Sequence, residues 1–267
     1  MMRTGKKKIA IVTGASSGMG RECVIQLADR FAGLEEIWVI ARRGRRLDKL
    51  AGKVPVPLRI LELDLQDELA FAELEQKLEW EDPEVKILVN GAGFGKIGCT
   101  ENLQLDEETG MIDVNCRALT AVTRLVLPYM SKNSRILQFA SSAAFLPQPG
   151  FAVYAASKAY VLSYSRALNR ELKGRKIFVT AICPGPVRTE FFDIAQTTGE
   201  IPLYKKLVMA APGKVVAKAI RDSIAGREIS VYGLFMNAFW ILAKVFPHSL
   251  ILDMMEKIEY LPGKDRW

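Results

Sequence analysis

Short runs of β-branched and apolar residues alternate along the chain with longer stretches whose apolar positions recur every three or four residues. Lys8–Thr13 predicts a buried strand that ends at a glycine-rich turn. Met19–Phe31, with Val24, Leu27, Ala28 and Phe31 at helical spacing, predicts the helix that follows, closed by Gly33. Further strands are expected at Ile37–Ala41, Leu58–Leu63, Lys86–Asn90, Ile136–Ala140, Phe178–Ile182 and Glu228–Tyr232. Helices are expected at Leu47–Ala51, Glu68–Leu78, Glu107–Met130, Ala152–Leu172 and Lys214–Ala225. Strand and helix in regular alternation imply an α/β fold: a seven-stranded parallel sheet, doubly wound, with right-handed crossovers. Ligands of such sheets sit at the carboxyl ends of the strands, near the switch in strand order. The loops after the first, fourth, fifth and sixth strands are therefore where chemistry is expected.

Length changes this picture little. A single Rossmann-like domain accounts for all 267 residues (1–267), with 233–267 as an apolar helical extension. Apolar residues make up 49% and charged residues 25%, ordinary for a well-packed globule. Cys23, Cys99, Cys116 and Cys183 are widely spaced, which argues against a disulfide framework or a metal site and fits a cytoplasmic, reducing compartment. The one histidine, His248, lies beside Pro247 near the C-terminus and reads as a surface or satisfied residue, so a Ser-His-Asp triad is disfavoured. A net charge of +7, scattered apart from Lys6–Lys8 and Arg42–Arg46, fits an anionic cofactor, and an anionic substrate as a further reading, better than nucleic acid. No apolar run reaches the roughly 20 residues of a membrane-spanning helix.

Thr13-Gly14-Ala15-Ser16-Ser17-Gly18-Met19-Gly20 occupies the first strand-to-helix loop. Gly14 permits a tight turn, Gly18 lets backbone approach a pyrophosphate, and Gly20 allows close helix–strand packing, while the helix N-terminus offers free N–H groups to phosphates. The second strand ends in Val39-Ile40-Ala41-Arg42-Arg43, with no acid to hold a ribose 2′-hydroxyl. Arg42 or Arg43 could instead fork onto a 2′-phosphate, Arg42 being preferred from its place after the strand, whereas Arg45 and Arg46 read as a solvated turn. In Tyr154-Ala155-Ala156-Ser157-Lys158, Tyr154 and Lys158 stand four apart on one helix face, where an ammonium could lower the tyrosine's pKa.

With its G-x-x-x-G-x-G loop, the Tyr-x-x-x-Lys pair and Ser141 at the customary distance before the tyrosine, the chain resembles the short-chain dehydrogenase/reductase family over about its first 190 residues. That resemblance implies NADP(H) as cofactor, no metal, and Asn115, Ser141, Tyr154 and Lys158 as the catalytic set, Ser142 being the runner-up serine. Asn115 would hold a water that passes protons to the lysine, or otherwise belongs to a buried network. Cofactor contacts are expected from Gly14, Ser16, Ser17, Gly18, Met19, Gly20 and Arg42. Asp64 and Leu65 would contact the adenine, with a helix N-cap as the alternative or additional role of Asp64. Asn90-Gly91-Ala92-Gly93 is similar to the family's N-N-A-G, with Gly91 in place of the second asparagine, so Asn90, Ala92 and Gly93 should pack on the adenosine ribose. Pro184-Gly185-Pro186-Val187-Arg188-Thr189 is similar to the P-G-x-V-x-T segment that seats the nicotinamide, through Pro184, Gly185, Val187 and Thr189, besides Tyr154 and Lys158. A lid is expected at about 190–213.

These features imply an oxidoreductase that interconverts a ketone and a secondary alcohol, the substrate being bulky and apolar, steroid- or lipid-like, given Phe191, Phe192, Ile194, Ile201, Leu203, Tyr204 and Met209 in the lid. The alternatives are a 3-oxoacyl thioester reductase, against which the extension counts, and a non-catalytic NADP(H) sensor. Gly233–Phe246 is apolar on nearly every helical face, which suits core, lid or subunit packing in a homo-oligomer, with peripheral membrane contact as the lesser reading.

Overall fold

The computed structural model describes residues 5–195 and 209–259. Among these, seven parallel strands form one sheet: β1 (Lys8–Thr13), β2 (Glu36–Ile40), β3 (Leu58–Leu61), β4 (Glu84–Asn90), β5 (Met130–Phe139), β6 (Phe178–Ile182) and β7 (Ile229–Ser230). Their order is β3-β2-β1-β4-β5-β6-β7, so the switch point lies between β1 and β4. Helices α1 (Gly18–Arg30), α2 (Gly44–Ala51), α3 (Leu69–Glu81), α4 (Leu105–Ile112), α5 (Leu119–Val126), α6 (Ala152–Glu171), α7 (Phe191–Ala195) and α8 (Pro212–Ile224) cover the sheet or border its carboxyl edge. Two more, α9 (Leu234–Val245) and α10 (His248–Glu259), form the extension.

Side chains of one strand point alternately to opposite faces, and β1 shows the consequence. Ile9 and Ile11 enter the layer with Leu74 and Leu78 of α3 and Val122 of α5. Ala10 and Val12 enter the layer with Val24 and Leu27 of α1, Leu47 of α2 and Val216 of α8. All four β1 side chains are fully buried, which is why this strand reads as a continuous apolar run.

Beyond shifts of up to three residues at the ends of elements such as β3, β4 and α2, three elements depart from expectation. The β5 strand begins at Met130, not Ile136, because Met130 pairs with Val85 across a register shift that no periodicity announces. Expected β7 contracts to two residues, and that edge is tied down by side chains instead: Asp222 of α8 accepts from Ser230 at 2.7 Å and lies 3.4 Å from Arg227. The single helix expected over Glu107–Met130 is interrupted by a π-turn at Asp113–Ala118 and ends in a 3-10 turn at Leu127–Tyr129. Of the expected lid, Phe191 to Ala195 and Met209 onward are described, whereas Ile201, Leu203 and Tyr204 lie outside the described residues. No helix among the described residues is long and apolar enough to cross a membrane.

Candidate active site

Two loops meet where the strand order switches. Gly14 has φ +67°, and a methyl group built on it would stand 2.6 Å from the Gly91 carbonyl oxygen, so the loop after β4 presses directly on the loop after β1. Thr13, unassigned by sequence reasoning, fastens the two: its Oγ1 accepts from the backbone N–H groups of Gly91 and Ala92, both at 3.1 Å. A methyl at Gly20 would lie 2.3 Å from the Gly14 carbonyl oxygen, which confirms the close packing expected of that glycine. Ser17 is the extended N-cap of α1 yet makes no side-chain capping bond, and Ser16 is buried while Met19 is half-buried. The first N–H groups of α1 are therefore left for an external anion, which fits a dinucleotide's phosphates.

The arginines at the end of β2 divide differently from expectation. Arg42 points outward, 3.9 Å from Asp64. Arg43 turns back over the glycine loop and donates to Ser16 Oγ at 3.1 Å and Ser17 Oγ at 2.8 Å. Arg46, read from sequence as solvated, donates from Nη1 to both Glu190 carboxylate oxygens, at 2.7 and 2.8 Å, and Arg43 reaches the same carboxylate at 3.1 Å. Asp64 accepts from the Gln66 backbone N–H in the turn before α3, whose N-cap is Glu68, so Asp64 is not the cap. Leu65 is buried in the apolar layer beneath that turn.

Beyond the switch point, Asn90 commits its side chain inward, donating to Thr123 and Gln138 at 2.9 Å each. Its carboxamide is thus part of the core, and contact with a ribose would fall to the loop backbone at Ala92 and Gly93. Asn115 is fully buried in the π-turn. It donates to the Phe94 carbonyl at 2.9 Å and to Ser157 Oγ at 3.0 Å, and it accepts from the Phe94 N–H at 3.1 Å. Ser157 in turn donates to the Tyr154 carbonyl at 2.7 Å. A methyl on Gly93 would meet Asn115 Oδ1 at 2.7 Å and Lys158 Nζ at 3.2 Å, so this one backbone position abuts both groups.

Ser141 is extended at the start of a 3-10 turn, Ser142–Phe145, with its Oγ accepting from the Ala143 N–H at 3.1 Å. Ser142 uses its backbone N–H on the Pro184 carbonyl, at 2.8 Å, which draws the loop after β6 to the same place. Tyr154 is buried, stacked on Phe151 at 4.2 Å between ring centroids and capped by Phe191 at 5.4 Å. Lys158, also buried, donates to the Phe139 carbonyl at 2.9 Å, and its Nζ lies 5.6 Å from the Tyr154 ring centroid.

Their acidities differ from the expected pattern. Burial pushes the Tyr154 phenol up to about 12, only partly countered by a hydrogen bond with Ser141. Burial holds the Lys158 ammonium down to about 8, partly offset by the Cys116 and Cys183 thiols. Burial thus dominates both groups, while the ammonium is directed at the Phe139 carbonyl.

The loop after β6 completes the cluster. Thr189 lies against Gly18, its side chain 3.4 Å from where a methyl there would stand. Buried Val187 bridges to Ala210. Met236, from α9, fills the space a side chain at Gly185 would need. Phe239 and Trp240 of α9 pack on Phe145, with ring centroids 6.3 and 6.4 Å away. The extension is thus a wall beside the site. Sequence reasoning missed Thr13, Phe151, Ser157, Glu190 and Met236 and ranked Arg43 behind Arg42; of the missed residues only Ser157, one turn from Tyr154, carried a local signal.

The short chain dehydrogenase family profile matches residues 8–198. Sulfoacetaldehyde reductase 2 of Chromohalobacter salexigens is 35% identical over 198 residues, 72% of this chain and 77% of that protein. Very-long-chain 3-oxoacyl-CoA reductase of Anas platyrhynchos is 30% identical over 261 residues, 93% of this chain and 78% of that protein. A solved short-chain dehydrogenase of Sphingobium yanoikuyae in complex with NADPH superposes with a TM-score of 0.76 at 26% identity, covering 97% of this chain and 100% of that one.

Proposed function

Because the chain belongs to the short-chain dehydrogenase family, we propose that it is an NADP(H)-dependent oxidoreductase interconverting a ketone and a secondary alcohol on a bulky apolar substrate. The observation that carries this is the convergence of Ser141, Tyr154 and Lys158 beside an anion-ready glycine loop. When bound, NADPH supplies the hydride. Gly14, Ser16, Ser17, Gly18, Met19 and Gly20 hold its phosphates. Arg43 serves its 2′-phosphate, Arg42 being turned outward to Asp64, and Asp64 and Leu65 border the adenine. Asn90, Ala92 and Gly93 form the ribose-facing loop, while Pro184, Gly185, Val187 and Thr189 seat the nicotinamide.

In reduction, Ser141 Oγ donates to the substrate carbonyl and holds it in place. Tyr154 Oη then gives its proton to the developing alkoxide. A phenol held near 12 is fully protonated at neutral pH, which suits a proton donor better than a base. Lys158, held at about 8, is largely an ammonium at neutral pH and can return a proton to the phenolate. Asn115, through its buried bonds to Phe94 and Ser157, keeps the tyrosine's helix and the β4 loop in one frame.

An apolar substrate is supported by the surroundings of Tyr154: Phe94, Met111, Phe151 and Phe191. The same ring set suits the long chain of a 3-oxoacyl thioester. The very-long-chain relative's match over 93% of this chain, which must take in part of the extension, weakens length as an argument against that second reading. Self-association into a homo-oligomer belongs to the proposal too, supported by the exposed apolar side chains of α9. NADPH absorbance followed over a panel of bulky ketones, 3-oxoacyl-CoA esters and small anionic aldehydes tests the substrate. Turnover confined to the aldehydes would overturn it.

A further inference from the structure

Glu190 follows Thr189 at the start of the segment that caps Tyr154 through Phe191, yet its carboxylate reaches across to the end of β2. There both its oxygens accept from Arg46 Nη1 and one accepts from Arg43, while Arg43 keeps three more bonds on Ser16 and Ser17. Two guanidinium groups and a pair of serine hydroxyls converging on one place form a receptor for an oxyanion richer in charge than a carboxylate. The side chains of Arg43, Arg46 and Glu190 are all more than two-fifths exposed, so the carboxylate can be exchanged without unpacking a core.

We propose that Glu190 is an internal anion that occupies the Arg43–Arg46 receptor in competition with the cofactor's 2′-phosphate, and so sets the discrimination between NADPH and NADH. The inference rests on the dinucleotide reading above and adds to it a residue outside the glycine loop. A 2′-phosphate carries more charge and more acceptor oxygens than a carboxylate, so it wins the exchange but gives up part of its binding free energy in doing so. NADH has no group to place there and leaves Glu190 where it is. If Glu190 were instead a fixed strut, its loss would loosen the loops and weaken both dinucleotides.

Calorimetric titration of the full chain with NADPH, NADH and 2′,5′-ADP separates these cases. Glu190→Gln should bind NADPH and 2′,5′-ADP roughly threefold to fivefold more tightly, the scale of one exposed ion-pair network, with NADH changed less than about twofold. Arg43→Gln with Arg46→Gln should weaken NADPH by more than about tenfold and NADH far less, since NADH loses only the hold of Arg43 on Ser16 and Ser17. Glu190→Asp keeps the charge but withdraws it by a methylene, so it should tighten NADPH too, and it serves if the amide variant folds poorly. NADPH affinity in Glu190→Gln equal to or below wild type, or parallel shifts for the two dinucleotides, would overturn the inference while leaving the oxidoreductase reading intact. Wild-type protein that binds neither dinucleotide would overturn both.

Discussion

Lys158 shows at the scale of one residue how the site is set against the fold. Its ammonium is held at about 8, below the ordinary 10.5, chiefly by burial. Between those two values the unfolded chain carries a proton that the folded one has lost, so stability rises with pH across that window. Below pH 8 the folded protein bears the full burden of a buried ammonium, on the order of 3 kcal/mol. Lys158→Met removes it, so the variant should gain on the wild type in urea unfolding at pH 7. The wild type should recover that difference as pH rises from about 8 to about 10.5; a gap constant with pH would refute the burial argument. Tyr154 works in the opposite sense, its phenol being raised to about 12. There the unfolded chain loses its proton first, and stability falls as pH climbs above the ordinary 10. Tyr154→Phe should cut kcat roughly a thousandfold while leaving NADPH affinity, measured by titration, within about twofold. These positions were legible because helical spacing alone brings Tyr154 and Lys158 to one face. Arg43 was not, since Arg42 and Arg43 leave the strand side by side and tertiary partners at Ser16 and Glu190 decide which turns inward.

Elements were read well wherever local pattern determines them. Both bounds of β1 and β6 match expectation, because each is a short, largely apolar, β-branched run with Gly14 or Pro184 close behind it. The π-turn at Asp113–Ala118 escaped because its one local pair, Arg117 on Asp113 at 3.0 Å, is an i,i+4 contact that an ordinary α-helix makes as well. Its reason is tertiary: Asn115 must meet the Phe94 backbone and Ser157 together, and an unbroken α-helical ladder does not present it so. The expectation follows directly. Asn115→Ala strips three hydrogen bonds and leaves both backbone groups of Phe94 without this partner, so urea unfolding should show a loss of about 2 to 4 kcal/mol. The kcat should fall at least about tenfold, with the pH profile shifted, because the β4 loop and α6 lose their common fastening. Cys116→Ala, one residue along in the same turn, offers the comparison. If Asn115→Ala costs no more than that neighbour, the π-turn has another cause.

For the molecule as a whole, the sheet accounts for itself, but the extension does not. Along α9 the inward residues Met236, Phe239, Trp240 and Ala243 pack on Gly185, Phe145 and their surroundings. The outward face carries Leu234, Phe235, Ile241, Leu242 and Val245 with no charged residue among them, and Leu234 is 92% exposed. An isolated exposed leucine is ordinary; five exposed apolar side chains on one helix, with Lys244 at their edge folded over Trp240, are what the proposed self-association rests on. The two faces should separate experimentally. Ala243→Asp puts a charge among buried apolar side chains, so it should cost several kcal/mol in unfolding or strip α9 from the site and raise KM for apolar ketones. Leu234→Asp with Val245→Asp should change unfolding by less than about 1 kcal/mol, since both side chains already meet water. If copies of the chain meet through this face, that double variant should sediment as a smaller species than the wild type at equal concentration. Equal sedimentation of the two would remove self-association through α9 from the proposal. Loss of vesicle binding in a variant whose mass is unchanged would give the face to lipid instead.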